Sequence, residues 1–172
     1  MINEAIMASP SNFYGTPRRF QGATIVITGG ASGIGWASAE RFAYEGANIW
    51  VLDRVPVVPD AQIKNLRSIK VDITDEKSVE QAVNDIQKTD GKIDVLVNAA
   101  GIAAPGTAFD TPVEIWNKIL DVNLKGVFLV SKFVMEHMVN QKSGSIINVS
   151  SDAGLTGMPG QAAYCASKGG VV

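Results

Sequence analysis

The chain has 172 residues, of which 46% are hydrophobic and 19% charged, with a formal net charge of -2. Such a composition excludes a disordered chain and a cationic nucleic-acid surface, and the length fits a single domain. The one cysteine, Cys165, excludes an internal disulfide and suits a cytoplasmic location; no Cys/His cluster has metal-ligand spacing, so no metal is expected, and no apolar run approaches the ~18 residues of a membrane span.

Residues 1–20 carry Pro, Ser and Asn without the apolar core of a signal peptide, and read as a flexible N-terminal extension. Residues 23–28 form a short β-branched apolar run, the mark of a buried strand. A small-residue helix follows over 33–45, stopped by Gly46, and residues 47–53 read as a second buried strand. Pro56 and Pro59 make 55–61 a loop, and 66–71 is a third strand. Thr74-Asp75 caps a helix whose Val79, Ala82, Val83 and Ile86 share one face, and Asp90-Gly91 ends it. Residues 93–97 are a fourth strand. Thr111-Pro112-Val113-Glu114 reads as a capping box with proline at the first helical position, opening a helix that buries Ile115, Trp116, Ile119 and Leu120. A separate helix is expected over 124–140, a fifth strand over 145–150, and a last helix from about 161. Strands alternating with helices imply parallel pairing through right-handed crossovers, hence a doubly wound, Rossmann-type α/β sheet over residues 21–172.

The first strand runs into Thr28-Gly29-Gly30-Ala31-Ser32-Gly33-Ile34-Gly35. Glycines admit a phosphate close to the backbone, and a helix start offers free N–H groups and a positive dipole end. A tight strand-to-helix connection without a ligand would use the same residues, although strand, turn and helix within one unit is the context a dinucleotide site requires. Asp53 ends the second strand 18 residues after Gly35. A carboxylate there can accept from ribose hydroxyls and repels a 2′-phosphate, by roughly 4 kcal/mol at ~4 Å and an effective dielectric of 20. Arg54 argues the other way, and Asp53 as a turn former is the plainer alternative. Tyr164 and Lys168, spaced i and i+4, share a helix face, where a cation ~4 Å from a phenol favours its ionised form by roughly 4 kcal/mol. Alone, that pair is common on solvated helices. Ser151, 13 residues before Tyr164, lies just past a strand's carboxyl end, where a hydroxyl can meet a substrate oxygen.

Taken together, TGGASGIG (28–35), NAAG (98–101), Asn123, Ser151 and Tyr164-Cys165-Ala166-Ser167-Lys168 resemble, in order, the motifs of the short-chain dehydrogenases/reductases. The resemblance covers roughly residues 20–172. It implies an oxidoreductase that exchanges hydride between NAD(H) and a small-molecule alcohol or ketone. Gly29, Ser32, Gly33, Ile34 and Gly35 would hold the dinucleotide, with Asp53 on the ribose and Asp72 and Ile73 near the adenine. The Ala31-Ser32 stretch, without a basic residue, favours NAD over NADP. Asp72 reads almost equally well as an acid at a helix start. Asn98 would brace the sheet, and Ala99 and Gly101 would line the cofactor path. By the same resemblance Ser151 orients the oxygen, Tyr164 transfers the proton, Lys168 holds the ribose and tunes Tyr164, and Asn123 holds a relay water. Family members continue past this helix into further strands and a substrate loop, so the domain is expected to be truncated at its C-terminal edge, with one open sheet edge, and the full-length parent to be a homo-oligomer. A fragment acting at most as a nucleotide-binding module is the alternative. His137 reads as a surface residue, Cys165 as a small buried or interface residue, Trp36, Trp50 and Trp116 as packing residues, and Met135 and Met138 as one packing face.

Overall fold

The computed structural model describes residues 18–57, 63 and 65–172. Five strands, β1 (Thr24–Thr28), β2 (Asn48–Asp53), β3 (Leu66–Lys70), β4 (Val95–Asn98) and β5 (Ser145–Asn148), form one sheet in the order β3-β2-β1-β4-β5. Every neighbouring pair is parallel. The first crossovers carry the chain outward from β1 in one direction, and β4 then lies on the other side of β1. The strand order therefore reverses between β1 and β4, which opens a crevice at the strands' carboxyl ends.

Alternate residues of β1 enter two cores. Ile25 and Ile27 join Ile49, Val51 and Val97 with Ala39 of α1 (Gly33–Tyr44). On the opposite face Val26 joins Leu52, Val71 and Leu96. That face is covered by Val79, Val83 and Ile86 of α2 (Glu76–Asp90) and by Val130 and Val134 of α4 (Gly126–Gln141). Each such aliphatic burial contributes about 1.5–3 kcal/mol. Covering both faces is why β1 and β2 read as unbroken apolar runs. At the start of α2 the Asp75 carboxylate accepts from Lys77 N and Ser78 N, as expected of an N-cap. No helix among the described residues is long and apolar enough to cross a membrane.

Several expectations change. The two helices expected over 113–140 are one continuous run: α3 (Val113–Leu120), a π turn (Asp121–Lys125) and α4 follow each other with helical dihedrals at both junctions. No proline interrupts the run, and Gly126 is helical and packs under Ile73, whose Cδ1 would lie 2.6 Å from an added Cβ. The Thr111 capping box does not form. Pro112 is the N-cap, no side chain caps α3, and the Thr111 hydroxyl donates instead to Thr107 O at 2.6 Å. A turn over 107–111, held also by Asp110 accepting from Thr107, takes that hydroxyl first. Ile119 alone is fully buried in α3, and Trp116 is exposed rather than buried. Of Met135 and Met138, expected to share one packing face of α4, only Met138 is in the core; Met135 is exposed. A short helix α5 (Ala153–Thr156), not expected from the sequence, lies ahead of α6 (Ala162–Val171).

β5 is the outer strand, and Ser145, Ile147 and Asn148 on it are exposed, the open edge that the sequence led one to expect. Of the N-terminal extension, residues 1–17 lie outside the described residues. Arg19 pairs with the buried Glu45 carboxylate and Phe20 packs edge-on against Phe42 with ring centroids 4.8 Å apart.

The opposite end of the sheet is held by Asp90. Its carboxylate accepts from Trp50 Nε1 (2.9 Å), Thr24 Oγ1 (3.1 Å) and Arg67 Nη1 (2.7 Å). Burial pushes this carboxyl up, but the three donors outweigh it and hold it below the usual carboxylate range. A carboxyl depressed in the fold stabilises above its unfolded value, near 4, and loses that contribution as pH falls through the folded value. Asp90→Asn is expected to destabilise the fold by about 2 kcal/mol at pH 7. The gap to the native protein should narrow as pH falls below about 4 in urea denaturation; a gap that stays equal from pH 7 down through the acid range would contradict this account.

Candidate functional site

The crevice between β1 and β4 is built first from backbone. Thr28 Oγ1, at the end of β1, accepts the N–H groups of Ala99 and Ala100, each at 3.2 Å, and so fastens the turn after β4 to the turn after β1. The two turns touch so closely that only glycine fits. A Cβ on Gly29 would lie 2.6 Å from Ala100 Cα, and one on Gly35 would lie 2.3 Å from Gly29 O. Gly33 is the opposite case, at φ +56 with no atom within 4 Å of its Cβ position. Ser32 is the N-cap of α1 but makes no side-chain cap. The first-turn N–H groups of α1 are thus left uncapped beside open space.

That space is a cleft of about 400 Å³. Its walls include Gly29, Ser32, Gly33, Ile34 and Gly35 from the first turn and Ala99 and Gly101 from the second. Asp53, Asp72 and Ile73 lie on it from the ends of β2 and β3. Ten of the residues singled out in the sequence are therefore brought to one cavity. Asp53 is fixed by two backbone donors, Ala31 N on Oδ2 (3.1 Å) and Val55 N on Oδ1 (3.0 Å). The glycine turn thereby holds the acidic residue at its own rim. Asp72 accepts from Thr74 N (2.9 Å) and Thr74 Oγ1 (2.7 Å), and these bonds hold its carboxyl below the usual range against the opposing effect of burial. The residue both faces the cleft and organises the approach to α2.

Asn98 lies outside the cleft. It is buried, and its Nδ2 donates to Asn148 Oδ1 (2.9 Å) and Ser131 Oγ (3.0 Å), linking β4 to β5 and α4. A second group assembles around α6. Lys168 is 4% exposed, its Nζ donates to Val149 O at 2.7 Å, and it lies 5.9 Å from the centre of the Tyr164 ring. Burial lowers the pKa of this ammonium. Ser150 Oγ donates to Lys168 O at 2.8 Å, which leaves the neighbouring Ser151 outside that contact. Ser151 Oγ donates to Asp152 Oδ1 (3.0 Å) and accepts from Ala153 N (3.2 Å). Asn123, fully buried on the π turn, bonds Ile102 and Ser167. A Cβ on Gly101 would lie 3.5 Å from both Asn123 Oδ1 and Lys168 Nζ, so the cleft and the α6 group adjoin there.

Sequence reasoning gave no separate role to Thr28, Ser150 or Ser167. A threonine closing a buried strand is a signal for the first; nothing in spacing or residue type marks the other two. Cys165, expected to be buried or at an interface, is half-buried, with Sγ accepting from Met158 N at 3.1 Å. His137 bonds Asn84 late in α4, in keeping with a surface role.

The family model for short chain dehydrogenases matches residues 23–172. The chain belongs to the short-chain dehydrogenase family. Among curated short-chain dehydrogenases it is similar to a 3-oxoacyl-(acyl-carrier-protein) reductase of Thermotoga maritima, 41% identical over 90% of this chain and 65% of the relative. It is also similar to an NAD-dependent glycerol dehydrogenase of Listeria innocua, 42% identical over 86% of this chain and 59% of the relative. In structure it is similar to NAD+-bound xylitol dehydrogenase, with a TM-score of 0.82 and 34% identity over 90% of this chain and 62% of that one. The chain thus spans about three fifths of the length of these short-chain dehydrogenases.

Proposed function

We propose that this chain is the cofactor-binding and proton-transfer part of an NAD-linked oxidoreductase acting on an alcohol or its ketone. The observation that carries the reading is the cleft at the strand-order reversal, with the open side of Gly33 and the uncapped start of α1 on one wall and the Asp53 carboxylate at the rim. This donor set suits a dinucleotide diphosphate at the helix start and a ribose at the acid. When bound, NAD(H) supplies the hydride chemistry.

The residues supply geometry and protons. Gly29 and Gly35 keep the turn tight enough for Gly33, Ser32 and Ile34 to meet the diphosphate. Asp72 and Ile73 contact the adenine end, and Ala99 and Gly101 line the path beyond it, with Asn98 bracing the sheet behind. Ser151 orients the substrate oxygen and Tyr164 exchanges the proton. Lys168 holds the nicotinamide ribose and assists Tyr164. Both N–H groups of the buried Asn123 amide are taken by Ile102 and Ser167, so its link to a relay water falls to its main chain. Glycerol, xylitol and a 3-oxoacyl thioester, taken from the names of the relatives, are the first substrates to assay. Residues 21–172 serve as the NAD-binding domain, preceded by an extension, in a parent protein that assembles as a homo-oligomer.

Preference for NAD over NADP rests on Asp53. Asp53→Asn retains an acceptor for Ala31 N and removes the charge that repels a 2′-phosphate, leaving Arg54 on the cleft wall. The ratio of NADPH to NADH affinity is expected to rise at least tenfold, well within the ~4 kcal/mol repulsion available. An unchanged ratio in parallel fluorescence titrations removes Asp53 as the selecting residue.

A second reading, a nucleotide-binding module without turnover, is consistent with a chain that spans about three fifths of these relatives. Binding without hydride transfer to any alcohol or ketone in the panel would select it.

A further inference from the structure

We infer that Ser167 is a positioning residue that sets the cleft wall at Ile102 through the side chain of Asn123; this rests on the reading of the cleft as a dinucleotide site. Ser167 is fully buried in α6, directly before Lys168. Its hydroxyl donates to Tyr164 O at 2.8 Å, and that bond fixes where its one hydrogen goes. Its lone pairs are left to face the π turn, where Asn123 Nδ2 donates to Ser167 Oγ at 3.0 Å. The other hydrogen of the same amide goes to Ile102 O at 2.9 Å, while Oδ1 accepts Ile102 N at 2.8 Å. An N–H can be met only by the amide oxygen, so this orientation of Asn123 is the one the hydrogen bonds require.

The result is a continuous link from the helix carrying Tyr164 and Lys168, through the π turn, to the loop after β4. Ile102 lines the cleft next to Gly101. The backbone of that loop is held by side-chain bonds from Asn123 on both its N–H and its C=O, and Asn123 is itself anchored by Ser167. Removing the Ser167 hydroxyl leaves a buried N–H without an acceptor, which is strongly disfavoured. The Asn123 amide then gains a reason to turn, and turning releases Ile102. Ser167 touches neither the cleft nor the proposed reacting atoms; it acts through Asn123.

The test compares the native full chain with Ser167→Ala and Ser167→Thr in NADH titrations followed by fluorescence. Hydrogen exchange of the peptide containing Ile102 gives a second reading. Threonine keeps the hydroxyl and in a helix readily bonds a carbonyl one turn back. Ser167→Ala is expected to bind NADH about tenfold more weakly and to exchange faster at Ile102, with Ser167→Thr restoring both to within about twofold. A Ser167→Ala protein that melts earlier yet keeps its NADH affinity and its Ile102 protection overturns the inference, since Ser167 then only packs. If the native chain does not bind NADH, the dinucleotide reading has failed and exchange alone decides. Faster exchange in the alanine variant, reversed by threonine, then upholds the positioning role; unchanged exchange overturns it.

Discussion

Tyr164→Phe is expected to lower turnover by about 10²–10⁴-fold, the usual contribution of a positioned acid or base, while NADH affinity stays within about twofold of native. The substitution keeps the ring and removes one oxygen. Lys168, held to Val149 O and by the Ser150 bond to its carbonyl, has no reason to move. The split between turnover and binding is the informative part. A merely structural tyrosine would weaken both together, and a variant with full turnover would remove Tyr164 from the chemistry. Steady-state rates on the substrate panel, set beside NADH titration of the same preparation, make the comparison.

The second large effect concerns the glycine turn. Gly35→Ala places a Cβ 2.3 Å from the Gly29 carbonyl oxygen, a backbone atom that cannot rotate away. Overpacking of this kind costs about 3 kcal/mol, or roughly 6–12 °C in melting temperature for a chain of this size. NADH binding should be lost with it, because the turn must widen. Gly33→Ala separates the two consequences. Its Cβ meets nothing in the protein, so the stability loss is confined to the positive φ, about 1–2 kcal/mol. The added methyl nevertheless enters the cleft, and NADH affinity is expected to fall by more than tenfold. Melting curves and titrations of both variants check this. Unchanged NADH affinity in Gly33→Ala would mean that the open space beside α1 is not where the dinucleotide lies.

What could be read from the sequence was what repeats or what is chemically singular. β1 and β2 announce themselves because both sheet faces are covered, so the apolar run is unbroken. α2 does so because Val79, Ala82, Val83 and Ile86 return at helical spacing and Asp75 caps it. The Gly29–Gly35 turn and Asp53 were legible because few residues tolerate such close backbone contact or combine charge with a strand end in this way. The π turn was not legible. Its backbone bond reaches five residues back, from Gly126 N–H to Asp121 O, and no residue type there marks that change of spacing. Thr111 misled for a related reason: a capping pattern in sequence does not say that a preceding turn will claim the hydroxyl first. Ser167 was invisible because its importance comes from Asn123, 44 residues earlier, and only the fold brings the two together. The shared wall between the cleft and the α6 group at Gly101 is likewise a product of the strand-order reversal.

The most direct test of the central claim is a fluorescence titration of the 172-residue chain with NADH, run beside NADPH. Saturable binding that favours NADH at least tenfold, and that Gly33→Ala weakens, is the predicted result. A folded chain that binds neither dinucleotide, or that prefers NADPH, would contradict the assignment of this cleft to NAD.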